Sequence, residues 1–198
     1  MRARPVLIAG AVALALAAAG CGASSSGGGN GGKPVDPNSA EVSPPGDIPD
    51  DQAFVSYSPP GSHYSVKVPE GWARTSAGGA VTFTDKLNAI SMQEVTASAP
   101  LTASRASQTE VPKLARSVKG FQAGRVDTVT RHGGRAVRIS YLADAKADPV
   151  TGKAGKDAVE RYVFFKNGHE LILTLSGPKG ADNVDPWKIV SDSVRWSQ

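Results

Sequence analysis

The stretch VERYVFFKNGHELILTLS, residues 159–176, decides the fold of this chain. Two apolar runs, 159–166 and 170–176, flank Asn167-Gly168, and an Asn-Gly pair in that position is the strongest short-range signal for a β-hairpin. The second run is so continuously apolar that we expect it to be a central strand with both faces covered. The sequence therefore predicts an antiparallel sheet built around this hairpin.

Alternating segments upstream of the hairpin extend the predicted sheet. Tyr64, Val66 and Val68 share one side of a short segment whose other side is polar, which is the period of a half-buried strand. Turn sequences at 85–88 and 132–134 join further strands, and a polar loop at 144–156 leads into the hairpin. Those strands are predicted at 81–84, 89–96, 124–131 and 135–143.

An amphipathic helix is predicted between these strands. Val111 and Val118 lie on an apolar side at helical spacing, and lysine and arginine occupy the opposite side. The helix either starts after an N-cap at Thr109, with Pro112 in its first turn, or starts near Thr102 and is kinked at Pro112.

A second helix closes the domain. Asp185-Pro186 predicts its start, its apolar pattern consists of Val184, Trp187, Val190 and Val194, and Trp196 lies near the end of the chain. An antiparallel sheet with helices packed on its faces is an α+β fold, and this is the fold class that we predict.

Positive charge is concentrated in one segment of the predicted domain. The chain carries 22 Lys/Arg and 18 Asp/Glu, but between residues 113 and 138 the single acid is Asp127. A field of one sign can attract anionic lipids, wall polymers or acidic proteins, or it can simply be a solvated face. The candidate residues for binding an anionic surface are Lys113, Arg116, Lys119, Arg125, Arg131, Arg135 and Arg138.

The N-terminus resembles the signal peptide of a bacterial lipoprotein. Cys21, the single cysteine, follows an apolar run at 6–20 that is preceded by Arg2 and Arg4, and Ala18 stands where the lipobox prefers leucine. The resemblance implies that Cys21 is acylated and becomes the first residue. An ordinary secretory signal or an uncleaved anchor is the alternative. With no second thiol, the folded part has no disulfide and no cysteine nucleophile.

Three regions follow from this organisation. Residues 1–20 are the expected signal peptide, and residues 21–52 are the expected lipidated cysteine and a disordered tether rich in glycine, serine and proline. Residues 53–198 have the size of one globular domain.

The domain resembles PsbP-like proteins, in particular the actinobacterial Lpq-type lipoproteins. The resemblance rests on YSVKVPEGW at 64–72, on the Gly-Gly hairpin followed by AVRISY at 136–141, on the strand pair at 161–176, and on the closing segment 187–196. It implies an α/β/α sandwich and a non-enzymatic role in binding or assembly. In the photosynthetic branch it implies a link to calcium and manganese, but none of those metal residues has a match in this sequence.

The remaining polar residues show no catalytic or metal-binding spacing. His63, His132 and His169 lie in or beside predicted turns, and we expect each to be an exposed turn residue. Asp144, Asp148 and Asp157 surround one loop, but their spacing fails the EF-hand rule and lysines intervene. No G-x-S-x-G motif and no phosphate-binding glycine loop is present. We predict no metal, no cofactor and no catalytic residue.

These observations predict a lipoprotein on the extracytoplasmic face of the cell membrane, whose monomeric domain binds a partner and catalyses nothing. The expected partners are the membrane through the lipid anchor, and an anionic lipid, a wall polymer or an envelope protein, with no nucleic acid. Two alternatives stay open. A carrier of a small apolar or lipid ligand needs an enclosed pocket between sheet and helix, and a minor hydrolase needs a histidine close to a serine or carboxylate in a cleft.

Overall fold

A seven-stranded antiparallel sheet organises the part of the chain that the structure describes. The computed structural model describes residues 45–147, 152 and 154–197. The strands of this sheet are β3 (Ala73–Ala77), β4 (Ala80–Asp85), β5 (Asn88–Thr96), β6 (Gln122–Arg131), β7 (Gly134–Asp144), β8 (Lys156–Lys166) and β9 (His169–Pro178). They lie in the order β3-β4-β5-β9-β8-β7-β6.

Strand β9 occupies the middle of the sheet, as its sequence predicts. It pairs with β5 on one side and with β8 on the other, and Leu171, Leu173 and Leu175 are completely buried on one face. The turn between β8 and β9 has positive φ at both Asn167 and Gly168, which is the geometry that an Asn-Gly hairpin turn requires. The predicted hairpin is confirmed.

A small three-stranded sheet and a helix cover the face of the large sheet that carries these leucines. The small sheet consists of β1 (Phe54–Tyr57), β2 (Tyr64–Pro69) and β10 (Arg195–Trp196), and the helix is α3 (Val184–Asp192). Tyr64, Val66 and Val68 point into this first core, as predicted, together with Trp187 and Val190 of α3.

A helix at 103–117, called here the first helix, covers the opposite face. It consists of α1 (Ala103–Arg105), a π-helical turn (Ala106–Glu110) and α2 (Val111–Ser117). Val111, Leu114 and Val118 pack with Val137 and Ile139 of β7 in a second core. The helix-covered sheet confirms the predicted α+β class.

The first helix starts early, so the second of the two predicted alternatives is correct. The Thr102 hydroxyl accepts a hydrogen bond from the backbone N–H of Arg105 at 3.2 Å and caps the helix. The wider π-helical turn comes directly before Pro112, whose ring would clash with a carbonyl of a regular α-helical turn. The irregularity is therefore the local response to this proline.

The closing helix is shorter than the sequence predicts. It ends at Asp192 because the Ser193 hydroxyl donates to the carbonyl of Val190 at 2.7 Å and accepts from the backbone N–H of Lys67 at 2.7 Å. The following residues form β10, and the Trp196 indole N–H donates to the carbonyl of Gly133 at 2.9 Å. Strands β1, β3 and β10 have no predicted counterpart, because they are short and carry little apolar alternation.

The last residues of the expected tether are part of the folded domain. Ile48 is only 4% exposed and belongs to the first core, which corrects the boundary placed at residue 52. Its backbone N–H donates to the Asn183 side-chain oxygen at 2.8 Å, and the Gly46 carbonyl accepts from the amides of Asn88 and Asn183 at 2.9 and 3.0 Å. Residues 21–44 of the expected tether lie outside the described residues.

Replacing Ile48 tests whether this segment is part of the core. Because removal of a buried isoleucine side chain leaves a cavity, Ile48→Ala should lower the free energy of unfolding by about 2–4 kcal/mol. Leu87→Ala, which truncates a half-exposed residue in the β4–β5 turn, should change it by no more than about 0.5 kcal/mol. Urea denaturation of residues 22–198 measures both changes. Equal stability of the two variants would restore the boundary at residue 52.

Candidate functional site

Two histidines and a glutamate meet at the edge of the first core. Glu94 lies near the end of β5, His169 is the first residue of β9, and His63 comes directly before β2. In the β5–β9 register Glu94 is opposite Leu171 and Thr96 is opposite His169, so Glu94 and His169 lie on the face that carries the buried leucines. Three distant chain segments therefore bring these side chains together.

The Glu94 carboxylate holds both imidazoles. Its Oε1 atom accepts a hydrogen bond from Nδ1 of His63 at 2.7 Å, and Nδ1 of His169 lies 2.8 Å from the same oxygen, at ion-pair distance. Its Oε2 atom accepts from the backbone N–H of His63 at 3.0 Å. The two rings lie against each other with centroids 3.8 Å apart and a tilt of 31°. We call these three residues the His–Glu–His cluster.

The surroundings keep Glu94 ionised. Burial alone would raise the pKa of Glu94, but the hydrogen bonds from His63 and the nearby charge of both imidazoles hold this pKa below its ordinary value. No arginine or lysine of the described ranges forms a salt bridge with this carboxylate. Its partners are thus two titratable rings instead of a fixed cation.

A cleft of about 340 Å³ opens beside the cluster. It is lined by Glu94 and His169 together with Ser62, Tyr64 and Thr96, among others. Ser62 donates its hydroxyl hydrogen bond to the carbonyl of Pro59 at 2.7 Å or of Tyr64 at 3.2 Å, and not to a histidine. The cleft therefore places imidazole and carboxylate together, but it does not activate this serine as a nucleophile.

The expectation of an exposed turn residue holds for His63 and His132, but it is wrong for His169, which is half-buried as the first residue of β9. The side chain of His63 is 53% exposed, whereas the side chains of His169 and Glu94 are 28% and 15% exposed. His132 differs from both, since its Nδ1 atom lies 3.0 Å from the carbonyl of Asp192. The sequence did contain one signal for the contact between Glu94 and His169. When β5 is paired with β9, Leu171 is opposite Glu94, and His169 lies two residues before Leu171 and so on the same face.

The seven candidate basic residues do not form one patch. Arg138 lies on the α3 side of the sheet, where it donates to Asp127 at 3.1 and 2.8 Å and to Glu160 at 3.3 Å. Arg131 lies on the same side, over the Tyr162 ring, and donates to the Ser191 hydroxyl at 3.1 Å. Strand alternation thus separates these two arginines from the first helix.

The other basic residues remain exposed. Lys113, Arg116 and Lys119 lie in or directly after the first helix, on its outer side, and Lys113 pairs with Glu110 at 2.8 Å. Arg125 and Arg135 are exposed on the neighbouring strands β6 and β7. The charge that can contact a surface is therefore centred on the first helix.

The two described aspartates of the acidic loop have surroundings that do not favour calcium. Asp144 forms a salt bridge with Lys156 at 2.6 Å, and this hydrogen bond lowers the pKa of Asp144. Burial raises the pKa of Asp157, which disfavours the ionised form that a calcium ion needs. Asp148 lies outside the described residues.

A cavity between α3 and the large sheet bears on the carrier alternative. Its volume is about 260 Å³, and its lining combines Trp187 and Tyr162 with the charged residues Arg138 and Glu160. Binding pockets for small molecules usually measure about 300–1,000 Å³ and are mostly apolar. The lining of this cavity is mostly apolar, but its volume is below that range and it contains a paired arginine and glutamate, so it gives the carrier alternative little support.

The architecture is that of PsbP-like proteins. Cyanobacterial PsbP (CyanoP) from Synechocystis sp. PCC 6803 is similar with a TM-score of 0.50 and 15% identity, over 73% of this chain and 93% of that one. This likeness shows the fold and confirms the predicted PsbP-like α+β sandwich.

Two further solved structures are similar at lower TM-scores. A protein from Bacteroides thetaiotaomicron VPI-5482 has a TM-score of 0.49 and 13% identity over 72% of this chain, which spans 48% of that protein, about half its length. LpqN of Mycobacterium tuberculosis, involved in cell envelope biogenesis, has a TM-score of 0.43 and 16% identity, over 74% of this chain and 91% of that one. No protein-family profile and no curated protein matches the sequence.

Among the described residues, no helix has the length and apolar character needed to cross a bilayer. Cys21 and the apolar run before it lie outside the described residues.

Replacing Arg138 tests its structural role. Arg138→Ala leaves the half-buried carboxylates of Asp127 and Glu160 without this cation. We therefore expect the free energy of unfolding to fall by about 1–2 kcal/mol, which lies between the losses measured for exposed and for buried ion pairs. Arg135→Ala removes an exposed arginine of the same strand and should cost no more than about 0.5 kcal/mol. Thermal and urea unfolding measure both. Equal losses in the two variants would show that Arg138 is a free surface charge without a structural role.

Proposed function

We propose that this protein is an extracytoplasmic lipoprotein of the cell envelope, whose PsbP-like domain binds an anionic membrane surface and catalyses nothing. The observation that carries the proposal is the outer side of the first helix, where Lys113, Arg116 and Lys119 are exposed while the inner side packs on the sheet. Acylation of Cys21 would hold the domain close to such a surface.

Electrostatics supports a peripheral contact of this kind. A lysine or arginine near an anionic bilayer contributes about 1 kcal/mol of binding free energy. Stable anchoring takes two signals, and a lipid chain together with the three cations in and directly after the first helix would supply them. Glu110 neutralises Lys113 only weakly, because an exposed ion pair is worth little. The exposed Arg125 and Arg135 add positive charge on the neighbouring strands.

A binding role agrees with the polar groups of the domain better than a hydrolytic one. The histidines that approach a carboxylate share it between them, and the serine beside them donates to backbone carbonyls. Nucleophilic catalysis needs a serine that donates to a histidine base, and the His–Glu–His cluster contains no such pair.

Acylation at Cys21 is the first prediction of this proposal. Mass spectrometry of the protein isolated from native membranes should show a mature chain that begins at Cys21 and carries lipid there. A chain beginning elsewhere, or an unmodified Cys21, would remove the lipoprotein part of the proposal.

Vesicle flotation tests the basic surface. Residues 22–198, which lack the lipid, should float with vesicles containing anionic phospholipid and not with neutral vesicles. Replacing Lys113, Arg116 and Lys119 with alanine should reduce the bound fraction at least about tenfold, since the three cations contribute roughly 3 kcal/mol. Raising the salt from about 0.1 M to 1 M should release the protein, because the Debye length falls from about 10 Å to 3 Å.

A matched variant separates location from total charge. Lys67, Lys166 and Lys179 are exposed outside the first helix, so replacing these three removes the same charge elsewhere. This variant should float like the unchanged protein. Equal loss in both triple variants would indicate a nonspecific attraction, and equal recovery on neutral and anionic vesicles would leave the first helix as a solvated face.

A further inference from the structure

We propose that the His–Glu–His cluster binds one divalent transition-metal ion of the zinc type. His63 and His169 each place Nδ1 within 2.8 Å of Glu94 Oε1, and the potential ligand atoms of the three residues all lie within 4.8 Å of one another. Two imidazoles and one carboxylate form a ligand set that zinc uses in proteins.

The distances need only a small adjustment to admit an ion. Zinc lies 2.0–2.1 Å from a histidine nitrogen, so tetrahedral ligand atoms are roughly 3.3 Å apart. Each ring nitrogen is roughly 0.5 Å closer than that to the Glu94 oxygen, His63 through a hydrogen bond and His169 at ion-pair distance. The metal would take the place of the hydrogen that His63 donates to Glu94. The more exposed His63 ring has the freedom to make this adjustment.

The ligand types select the metal. Calcium and magnesium prefer a shell made of oxygen atoms, and soft metals prefer thiolate, whereas imidazole nitrogen suits zinc, nickel and copper. The cluster offers two nitrogens and one carboxylate, and among the described residues no lysine or arginine forms a salt bridge with Glu94. A divalent cation would therefore enter a negatively charged site without having to displace a lysine or an arginine.

The fold holds the donors before an ion arrives. The His63 backbone is fixed from both sides, since its N–H donates to Glu94 Oε2 at 3.0 Å and its carbonyl accepts from Ser197 at 2.8 Å. Strand pairing fixes Glu94 and His169 in neighbouring positions of β5 and β9. Donors on rigid strands lose little conformational entropy on binding, which favours a site over a chance surface contact.

The cleft beside the cluster provides access for a further ligand. Three protein donors leave one tetrahedral position, as in zinc sites that bind water or an external molecule. Glu94 and His169 line the cleft of about 340 Å³, whose other lining includes Tyr64 and Thr96.

Calorimetric titration tests the site directly. Zinc chloride added to residues 22–198 should bind with a stoichiometry of one, and calcium chloride should not compete for the site. His63→Ala, His169→Ala and Glu94→Gln should each weaken zinc binding by at least about 100-fold, since loss of even an outer-shell partner costs 10–100-fold. His132→Ala removes the third histidine, which lies apart from the cluster, and should leave the affinity unchanged.

Two measurements keep the result decisive. Circular dichroism and melting without metal establish that each variant is folded, and His169→Asn serves as a milder replacement if His169→Ala unfolds. Cobalt chloride should give visible absorption bands of bound Co²⁺ in the unchanged protein and in His132→Ala, but not in Glu94→Gln. Absence of stoichiometric zinc binding, or equal weakening by His132→Ala, would overturn the proposal and leave the cluster as a hydrogen-bonded surface group. Membrane flotation is a separate assay, so either proposal can fail alone.

Discussion

Coverage of both faces of the large sheet is the constraint on which the rest of this structure depends. Because side chains alternate along a strand, a register shift of one residue would move the leucines of β9 out of the first core. The first core and the second core thus fix the same register from opposite sides. That register also places Glu94 beside His169, so the His–Glu–His cluster is a consequence of how the core is packed.

The N-terminal boundary shows a second way in which burial decides the structure. The segment around Ile48 is rich in proline and charge, and its composition predicts a tether. One apolar side chain and a few backbone groups nevertheless hold this segment against the domain. The buried side chains of Asn88 and Asn183 form hydrogen bonds with its backbone, so the polar groups on both sides are paired. Gly46 has φ of +97°, and a side chain there would collide with Pro178, so close approach also depends on this glycine.

Much of the fold could be predicted from the sequence, but little of the candidate site could. The Asn167-Gly168 hairpin and the alternation at Tyr64 are local signals, and the structure confirms both. The short edge strands β1, β3 and β10 escaped prediction because their pairing is set by neighbours and not by their own apolar pattern. His63, Glu94 and His169 lie in or directly before three strands that are far apart in the chain, so no spacing motif could connect them. The same alternation that defines a strand also divided the seven basic residues between two faces.

The two proposed surfaces lie on opposite sides of the sheet, which gives the domain an orientation. The first helix packs on the second core, whereas Glu94 and His169 are on the face that carries the first core. A bilayer in contact with Lys113, Arg116 and Lys119 would therefore leave the metal cleft on the side facing away from the lipid. A ligand entering that cleft would come from the aqueous space of the envelope and not from the membrane.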